Sequence, residues 1–505
     1  MLEVFGAAVQ AVFQDPQVLL VIVICAFYGI FVGAIPGLTA TMAVALMVPL
    51  TFFLTDVQAI AAIVTTVTCT IFAGDIPATL LRIPGTPASA AYVSDAYALT
   101  RAGRSATALN ASLFFSVAGG VFGAFVLATA APQLARMAAR FTMYEYFWLY
   151  VMGLTCAAVV SDDSRLKGTL GLSLGLLLSC VGLGIDYGRP RLTLGIDALI
   201  DGVSFIPAMI GLFGMSEVLR ISRAWSTESR RTFEIPETAG DGQVMTRTLS
   251  RMWKRKVSLV RSSTIGAIVG MLPGAGADIA AWISYAVSKR FAAEPELYGK
   301  GSLEGLSDAS GANNAALGSA WIPALVFGIP GDSVTAIAIG VLSMKNITPG
   351  PKIFDSTNFP EQAVLAASIF VTFLVANIVL IPVGLLAIRV GSSIIRVPKS
   401  VLMPAIVLFC VLGAFAMQGS YLDVIIMIAM GVLGFFLESW GVPLGPVVLG
   451  IILGPELEHR FIQCLTESSG AADFWSSGIS KVLMAICLLL WLGPIVGRAV
   501  KRVRG

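Results

Sequence analysis

Charged and metal-binding residues are scarce in this 505-residue chain. Asp, Glu, Lys and Arg make up only 12% of it, and His459 is the single histidine. None of the seven cysteines stands in a CxxC pair, so neither a His/Cys metal site nor a His-based triad is expected. The net charge of +3 comes from few ionisable residues, which argues against the concentrated basic face of a nucleic-acid-binding protein. No cofactor is predicted.

Apolar residues, by contrast, are abundant, at 56% of the chain with a mean hydropathy of +0.86. A membrane-spanning helix needs about 20 mostly apolar residues, and such stretches recur from 17–35 to 479–497. They predict an all-α polytopic membrane protein. Several stretches beside Pro-Gly pairs are too short to cross and predict broken helices or re-entrant hairpins, which are tolerated where the backbone is buried in protein or lines a cavity.

The distribution of basic residues predicts the orientation. The polar segment 220–257 and the tail after the last apolar stretch are rich in Lys and Arg, which places both in the cytoplasm. The N-terminus lacks Lys and Arg, so we expect it outside, without a cleaved signal peptide. The predicted organisation is a first transmembrane repeat (1–219), a basic cytoplasmic linker (220–257), a second repeat (258–456), and an outer loop with a final spanning helix and cytoplasmic tail (457–505).

Two motifs recur in the same order in each half. Residues 29–43 (GIFVGAIPGLTATMA) align without gaps on 266–280 (GAIVGMLPGAGADIA), with seven identities in fifteen positions. Residues 77–90 (PATLLRIPGTPASA) align on 323–336 (PALVFGIPGDSVTA). Chance matches in Gly- and Ala-rich helices are the alternative. If the linker is inside and the N-terminus outside, the halves form an inverted repeat, which is typical of secondary transporters whose substrate lies between the repeats.

The Pro-Gly breaks supply binding chemistry. A break frees backbone N–H and C=O groups, and the N-terminus of the half-helix that follows favours anions such as carboxylates. Freed oxygens also hold coupling cations. Each nearby hydroxyl has the alternative of bonding its own helix backbone. The predicted substrate-binding residues are Pro36, Gly37, Thr39, Thr41, Arg82, Pro84, Gly85, Thr86, Pro273, Gly274, Asn313, Asn314, Pro330, Gly331 and Ser333.

Charged residues within or beside apolar runs are functional candidates, because an unpaired charge in the membrane costs about 2.5–3.5 kcal/mol or more. Asp75, Asp278 and Asp332 are candidate ligands for a coupling Na⁺ or H⁺. Arg82 has two alternatives, to bind a substrate carboxylate or to neutralise Asp75 seven residues earlier. For Asp332, which directly follows Gly331, capping of a half-helix is favoured.

Four segments together resemble the large membrane subunit (TctA) of tripartite tricarboxylate transporters. They read GAIPGLTATMAVALMVPLTF, LLRIPGTPASA, GANNAALGSAWIPALVFGIPGDSVTA and LSMKNITPGP. The resemblance implies a permease of the bacterial inner membrane that works with a small membrane subunit (TctB-like) and a periplasmic solute-binding protein (TctC-like). It also implies import of carboxylates driven by an ion gradient, with Asn313 and Asn314 as substrate or ion contacts.

The chain departs from the family pattern at two places. The stretch before Asn313 commonly resembles EGVAAPEAANN in the family, and here Ser310 stands in place of the second acid. The stretch before the first IPG commonly resembles SIPAILLNIPG, and here it contains Asp75 and Arg82. Citrate is therefore not assumed as the substrate.

Other function classes are less consistent with the sequence. A channel for small anions, independent of a binding protein, is the main alternative. An intramembrane enzyme is disfavoured because the chain has no HExxH and no GxSxG motif. An ATPase is disfavoured because Gly299-Lys300-Gly301-Ser302 lacks the order of a P-loop.

Overall fold

The computed structural model of the chain describes residues 2–160, 164–184, 189–228, 255–394, 399–468 and 470–504. In these ranges the chain forms twenty α-helices and one antiparallel pair of two-residue strands, β1 (Gly182–Leu183) and β2 (Pro190–Arg191). The predicted all-α polytopic fold is confirmed. Most of the predicted linker 220–257 lies outside the described residues, at 229–254.

The helices of the first half are α1 (Leu2–Phe13), α2 (Pro16–Ala34), α3 (Ala40–Thr51), α4 (Asp56–Ala73), α5 (Asp75–Leu81), α6 (Val93–Arg101), α7 (Ser105–Ala138), α8 (Met143–Val160), α9 (Arg165–Ser179), α10 (Phe205–Met209) and α11 (Ser216–Glu228). Those of the second half are α12 (Lys256–Gly270), α13 (Gly276–Phe291), α14 (Leu303–Phe327), α15 (Ser333–Met344), α16 (Pro360–Ile394), α17 (Lys399–Gln418), α18 (Tyr421–Ser439), α19 (Leu444–Glu467) and α20 (Gly478–Arg504).

Six helical segments of the described chain are long and apolar enough to cross a membrane. They are Pro16–Ala34, Asp56–Leu81, Ser105–Ala138, Phe205–Arg223, Pro360–Gly391 and Tyr421–Ser439. The fourth runs through a π-helical stretch, Ile210–Met215, that joins α10 to α11. The segment Asp56–Leu81 is the most buried of the six and lies deep inside the bundle, so it spans as an internal helix rather than a lipid-facing one.

Glycines spaced four residues apart bring helices into backbone contact in both halves. A Cβ atom on Gly29 or Gly33 of α2 would lie 2.5 or 2.4 Å from the carbonyl oxygens of Thr66 and Thr70 on α4. Such small-xxx-small spacing permits close helix approach in membranes. Helices α2 and α4 run in the same direction, because the residue four positions later on α2 contacts the residue four positions later on α4.

The second half repeats this packing with the aligned residues. A Cβ atom on Gly266 or Gly270 of α12 would lie 2.2 or 2.4 Å from the carbonyl oxygens of Ala312 and Ala316 on α14. The two glycines are those that the sequence alignment matches to the first-half pair. The pair α2–α4 therefore has a counterpart in α12–α14, with equivalent residues in contact.

Helices α7 and α14 form the central interface between the halves. A Cβ atom on Gly119 would lie 2.0 Å from the carbonyl oxygen of Gly311, and one on Gly123 would lie 2.4 Å from that of Ala315. The residue numbers of the two contacts increase together along both helices, so α7 and α14 are parallel. Nearly the whole of α14 is buried.

The long helix α16 relates the directions of the remaining helices. It is antiparallel to α7, because Gly384 meets Leu113 and Asn377 meets Gly120. It is parallel to the segment α4–α5, because Gly384 also meets Phe72 while Gly391, further along, meets Ile76. The segment α4–α5 is consequently antiparallel to α7 and to α14.

Replacing Gly119 with leucine is expected to disrupt the α7–α14 interface. Overpacking a close-packed core costs about 1–3 kcal/mol, and more where backbone must shift, and here the obstructing atom is the carbonyl oxygen of Gly311. We expect a large loss of monodisperse protein in detergent, measured by size-exclusion chromatography. The same change at Gly6, where a Cβ atom has no neighbour within 4 Å, should leave the yield unaltered. Equal yields for the two variants would contradict this packing.

The structure places the end of α19 later than the sequence indicated. The sequence predicts that the second repeat ends at 456 and that an outer loop begins at 457, whereas α19 continues through Pro455 to Glu467. The extension is anchored by Glu458, whose carboxylate accepts two hydrogen bonds from Arg191, at 2.7 and 2.9 Å. Hydropathy cannot predict an ion pair between residues that lie so far apart in the sequence.

Candidate functional site

The second Pro-Gly break has the same geometry in each half. Arg82 ends α5 with φ 61°, and the aligned Gly328 ends α14 with φ 69°. Left-handed residues commonly end helices and are usually glycine, so Arg82 adopts a conformation that an L-residue rarely takes. The amide of Ile83 donates to the carbonyl of Pro77 at 3.3 Å, and Ile329 repeats this bond in the second half.

After each second break the chain folds back against its own helix. A Cβ atom on Gly85 would lie 2.5 Å from Cα of Gly74, and one on Gly331 would lie 2.8 Å from the carbonyl oxygen of Ala320. Glycine is thus required at both positions by the close approach of the loop. The two returning loops meet their helices at equivalent positions of the aligned halves.

The first breaks also turn at glycine. Gly37 has φ 97° and Gly274 has φ 77°, and both follow proline. Thr39 caps the helix after the first of these breaks by accepting a hydrogen bond from the amide of Met42 at 3.3 Å. Helix α3 then folds back beside α2, where the hydroxyl of Tyr28 donates to the carbonyl of Ala43. Thr39 serves its own helix, one of the two alternatives for such hydroxyls.

Contacts between the halves join the breaks to one another. The hydroxyls of Thr41 and Ser333 are 2.8 Å apart, which links the first break of one half to the second break of the other. The amide of Ala88 donates to Asp278 at 3.0 Å, which links the other two breaks in the same sense. The four Pro-Gly breaks of the sequence therefore meet as two cross-half pairs.

The three acidic candidates have different surroundings. Asp332 and Thr335 form a reciprocal capping box at the start of α15, so the predicted capping role of Asp332 is confirmed. Asp278 lies in the first turn of α13 and accepts a hydrogen bond from the first half instead.

Thr86 and Ser89 form a reciprocal pair of hydrogen bonds within one turn, in which the backbone amide of each residue donates to the hydroxyl oxygen of the other. These hydroxyls hold the loop together.

Asp75 lies in a buried cluster of hydroxyl groups contributed by both halves. Its carboxylate accepts hydrogen bonds from the hydroxyls of Tyr92 at 2.5 Å, Ser310 at 3.0 Å, and Ser112. Ser112 and Ser310 are also within 2.9 Å of each other. Arg82 is exposed and, among the described residues, forms no ion pair with Asp75.

Two departures from the family pattern meet at this cluster. Asp75 stands in place of the serine, and Ser310 in place of the acid, of the family pattern that the sequence resembles, and the two side chains are hydrogen-bonded across the halves. In this chain the cluster therefore contains one carboxyl, from the first half, and one serine of the second half in contact with it. The sequence flagged both positions separately, but their contact depends on the tertiary fold.

Asn313 and Asn314 lie on α14 between two inter-element contacts, Ser310 with Asp75 and Ala320 with Gly331. These contacts are separated by ten residues, or about 15 Å at the helical rise. Both asparagines are at most 2% exposed. Within the described chain, Oδ1 of Asn313 and both polar atoms of the Asn314 amide have no hydrogen-bond partner. Buried polar groups are nearly always paired, so this pair is suited to a ligand.

Sequence reasoning missed several residues of the site. Tyr92 and Ser112, which surround Asp75, lie in ordinary helical or loop sequence without a motif. Asp308 lies two residues before Ser310, and the structure pairs it with Arg261 at 2.7 Å and with the hydroxyl of Ser258. This pair ties α12 to α14 and is structural.

A cavity of about 650 Å³ lies away from the breaks. It is lined by the end of α9, the paired strands β1 and β2, α10, α15 and α19, and Arg191 and Glu458 are among its lining residues. No predicted site residue lines it. On α15 the cavity lining begins at Ile339, six residues after Ser333 at the break, or about 9 Å along the helix.

The bundle of long apolar helices, interrupted at four breaks that meet as two cross-half pairs, defines a polytopic membrane protein, and Asp75, Asn313 and Asn314 form its buried polar site. Residues 19–449 match the Tripartite tricarboxylate transporter TctA family, and the chain belongs to that family. It is therefore a component of a membrane transporter of the tripartite class, which implies partner subunits.

Two relatives from Agrobacterium vitis are similar to this chain. An uncharacterized 52.8 kDa protein in the TAR-I ttuC' 3' region is 32% identical over 474 residues, covering 93% of this chain and 92% of that protein. An uncharacterized protein in the TAR-II ttuC' 3' region is 33% identical over 235 residues, covering 46% of this chain and 95% of that protein. No solved structure matches.

Proposed function

We propose that this chain is the translocating subunit of an ion-gradient-driven secondary transporter that imports carboxylates delivered by a periplasmic solute-binding protein. It works beside a small membrane subunit in the bacterial inner membrane, with its N-terminus outside and its C-terminus in the cytoplasm. One observation carries the proposal. Asn313 and Asn314 are buried between the returning loops of the two halves, and Oδ1 of Asn313 and both polar atoms of the Asn314 amide have no hydrogen-bond partner in the described chain. The family description supports a tricarboxylate or another organic acid as substrate.

The two halves are proposed to form an inverted repeat. Aligned glycines make equivalent contacts in α2–α4 and in α12–α14, which supports descent from one unit. The segment α4–α5 runs opposite to its counterpart α14, which supports inversion rather than simple duplication. In this arrangement α3 and α15 are half-helices that return from the breaks, and movement of one half against the other exposes the site alternately to each side.

The substrate is held by amides and helix ends in this proposal. Among the described residues, no Lys, Arg or His is buried in the interior, so a bound carboxylate cannot rely on a buried cation. Donors come from the amide of Asn314, from the hydroxyls of Thr41 and Ser333, and from backbone amides at the breaks. Arg82 is available at the rim. The Pro-Gly pairs shape the backbone that faces the ligand.

Transport by vesicles that carry the chain with its small subunit tests the proposal. We expect labelled mono-, di- or tricarboxylates to accumulate above the external concentration only when the binding protein and an imposed Na⁺ or H⁺ gradient are both present. Uptake should saturate with substrate. Downhill flux that ignores the binding protein would contradict the proposal and favour an anion channel.

A further inference from the structure

We propose that Asp75 carries the coupling ion, and that this ion is a proton. The inference rests on the proposed function, because it names the ion of the same transport cycle. Its basis is a single carboxylate enclosed by Tyr92 and Ser112 from the first half and Ser310 from the second. All four side chains are at most 2% exposed.

Asp75 is buried, so an ionised carboxylate at this position requires a neutralising cation or a proton. No Lys or Arg among the described residues pairs with it, whereas Asp308, two residues before Ser310 on α14, is paired with Arg261. Asp95 accepts from Tyr285 and from two backbone amides, and Asp278, on α13, accepts from the amide of Ala88. The other titratable groups on elements packed against α5 or α14 include Cys25, Tyr28, Asp56, Cys69, Tyr97, Arg101, Arg136, Lys256, Lys289, Arg290, Glu304, Lys345, Lys352, Glu361 and Arg389.

The chemistry of the cluster favours a proton over a metal cation. Coupling cations in transporters are held largely by backbone carbonyls freed where helices unwind. Asp75 lies in the first turn of α5, and its partners are all side-chain hydroxyls that already donate to it. Intramembrane carboxylates of this kind are typical proton carriers. The proton adds to a carboxylate oxygen from the outer side and leaves it toward the cytoplasm, with no other bond changed.

Protonation also alters the contact between the halves. Hydrogen bonds to an ionised carboxylate are about twice as strong as those between neutral groups. Proton binding therefore weakens the hold of Asp75 on Ser310, which belongs to the other half. A contact whose strength differs between two protonation states biases the equilibrium between two arrangements of the halves. The proton is in this way linked to the movement that carries the substrate.

Infrared difference spectroscopy tests proton binding without any transport assay. The full chain, purified with its small subunit, is compared at acid and alkaline pH in sodium-free buffer. We expect a carboxylic-acid band that is present at acid pH and is missing in Asp75→Asn. Asp423→Asn, at a carboxyl 1% exposed outside the cluster, should retain the band. An unchanged band in Asp75→Asn, or its loss on addition of Na⁺ at constant pH, would overturn the inference.

A transport experiment connects that proton to coupling. In vesicles, a pH gradient should drive accumulation by the wild type, while Asp75→Asn should exchange substrate without accumulating it. Coupling between sites typically changes affinity by about 5- to 150-fold, and we expect the pH dependence of substrate affinity to be lost to that extent. Accumulation driven by Na⁺ alone would contradict the proton, and loss of all exchange in the wild type would instead contradict the proposed function.

Exchanging the carboxyl and the serine guards against a folding defect in Asp75→Asn. In the variant Asp75→Ser with Ser310→Asp, the carboxyl comes from the other half at nearly the same place, because the two side chains are 3.0 Å apart. We expect proton-driven accumulation to return in the double variant but not in Asp75→Ser alone. A well-folded double variant without accumulation would count against a proton held at this position.

Discussion

Asn314→Ala is expected to abolish carboxylate uptake while the protein remains folded and inserted. Both polar atoms of this amide are buried and have no partner in the described chain. An unsatisfied buried polar group costs about 1–3 kcal/mol, so its removal offsets much of the packing that alanine loses. Thermal unfolding in detergent should therefore be nearly unchanged, whereas uptake by reconstituted vesicles should fall to the level of empty vesicles.

Asn110→Ala provides the matched control for this variant. Unlike Asn314, which has neither polar atom paired, Asn110 lacks a partner only for Oδ1, because its amide nitrogen donates to the carbonyl of Ala106 within its own helix. Loss of that hydrogen bond should cost about 1 kcal/mol of stability. Uptake by this variant should be retained. The opposite pattern, with wild-type uptake by Asn314→Ala or a large fall in its unfolding temperature, would show that Asn314 is a structural residue.

The sequence predicted the outline of the fold because hydropathy and Pro-Gly punctuation are local signals. The apolar stretch 17–35 corresponds to α2, Pro16–Ala34, and 479–497 lies within α20, Gly478–Arg504. The aligned glycines Gly33 and Gly270 proved to occupy equivalent helix contacts. Helix positions and close helix contacts can be predicted from local sequence, because each depends on one apolar helix and on the small residues that let a neighbouring helix approach.

The partners within the site could not be predicted in the same way. Ser112 and Tyr92 meet Asp75 only after α6 and α7 have folded back over α5. The sequence offered Arg82, two helical turns from Asp75, as the nearest counter-charge. Arg82 instead ends α5 in the left-handed region, which turns the chain there, and the side chain is exposed. The helical spacing that would place Arg82 on the same side as Asp75 therefore does not extend to Arg82, because the helix ends there.

The second large effect is expected at the glycines of the returning loops. Gly85→Val or Gly331→Val would place a Cβ atom 2.5 Å from Cα of Gly74 or 2.8 Å from the carbonyl oxygen of Ala320. The loop must then leave its helix, which breaks the cross-half contacts at Ala88 or Ser333 that follow in sequence. We expect each variant to insert normally and to lose uptake.

The reason for retained insertion is that these loops end helices that are packed along their whole length by other contacts. The cost is confined to the loop and should be about 1–3 kcal/mol, as for other overpacked positions. Gly445→Val is the matched control, because no atom lies within 4 Å of a Cβ atom there. It should transport normally. Uptake at the control level by both Gly85→Val and Gly331→Val would mean that the returning loops are scaffold, and that the ligand meets α14 from another direction.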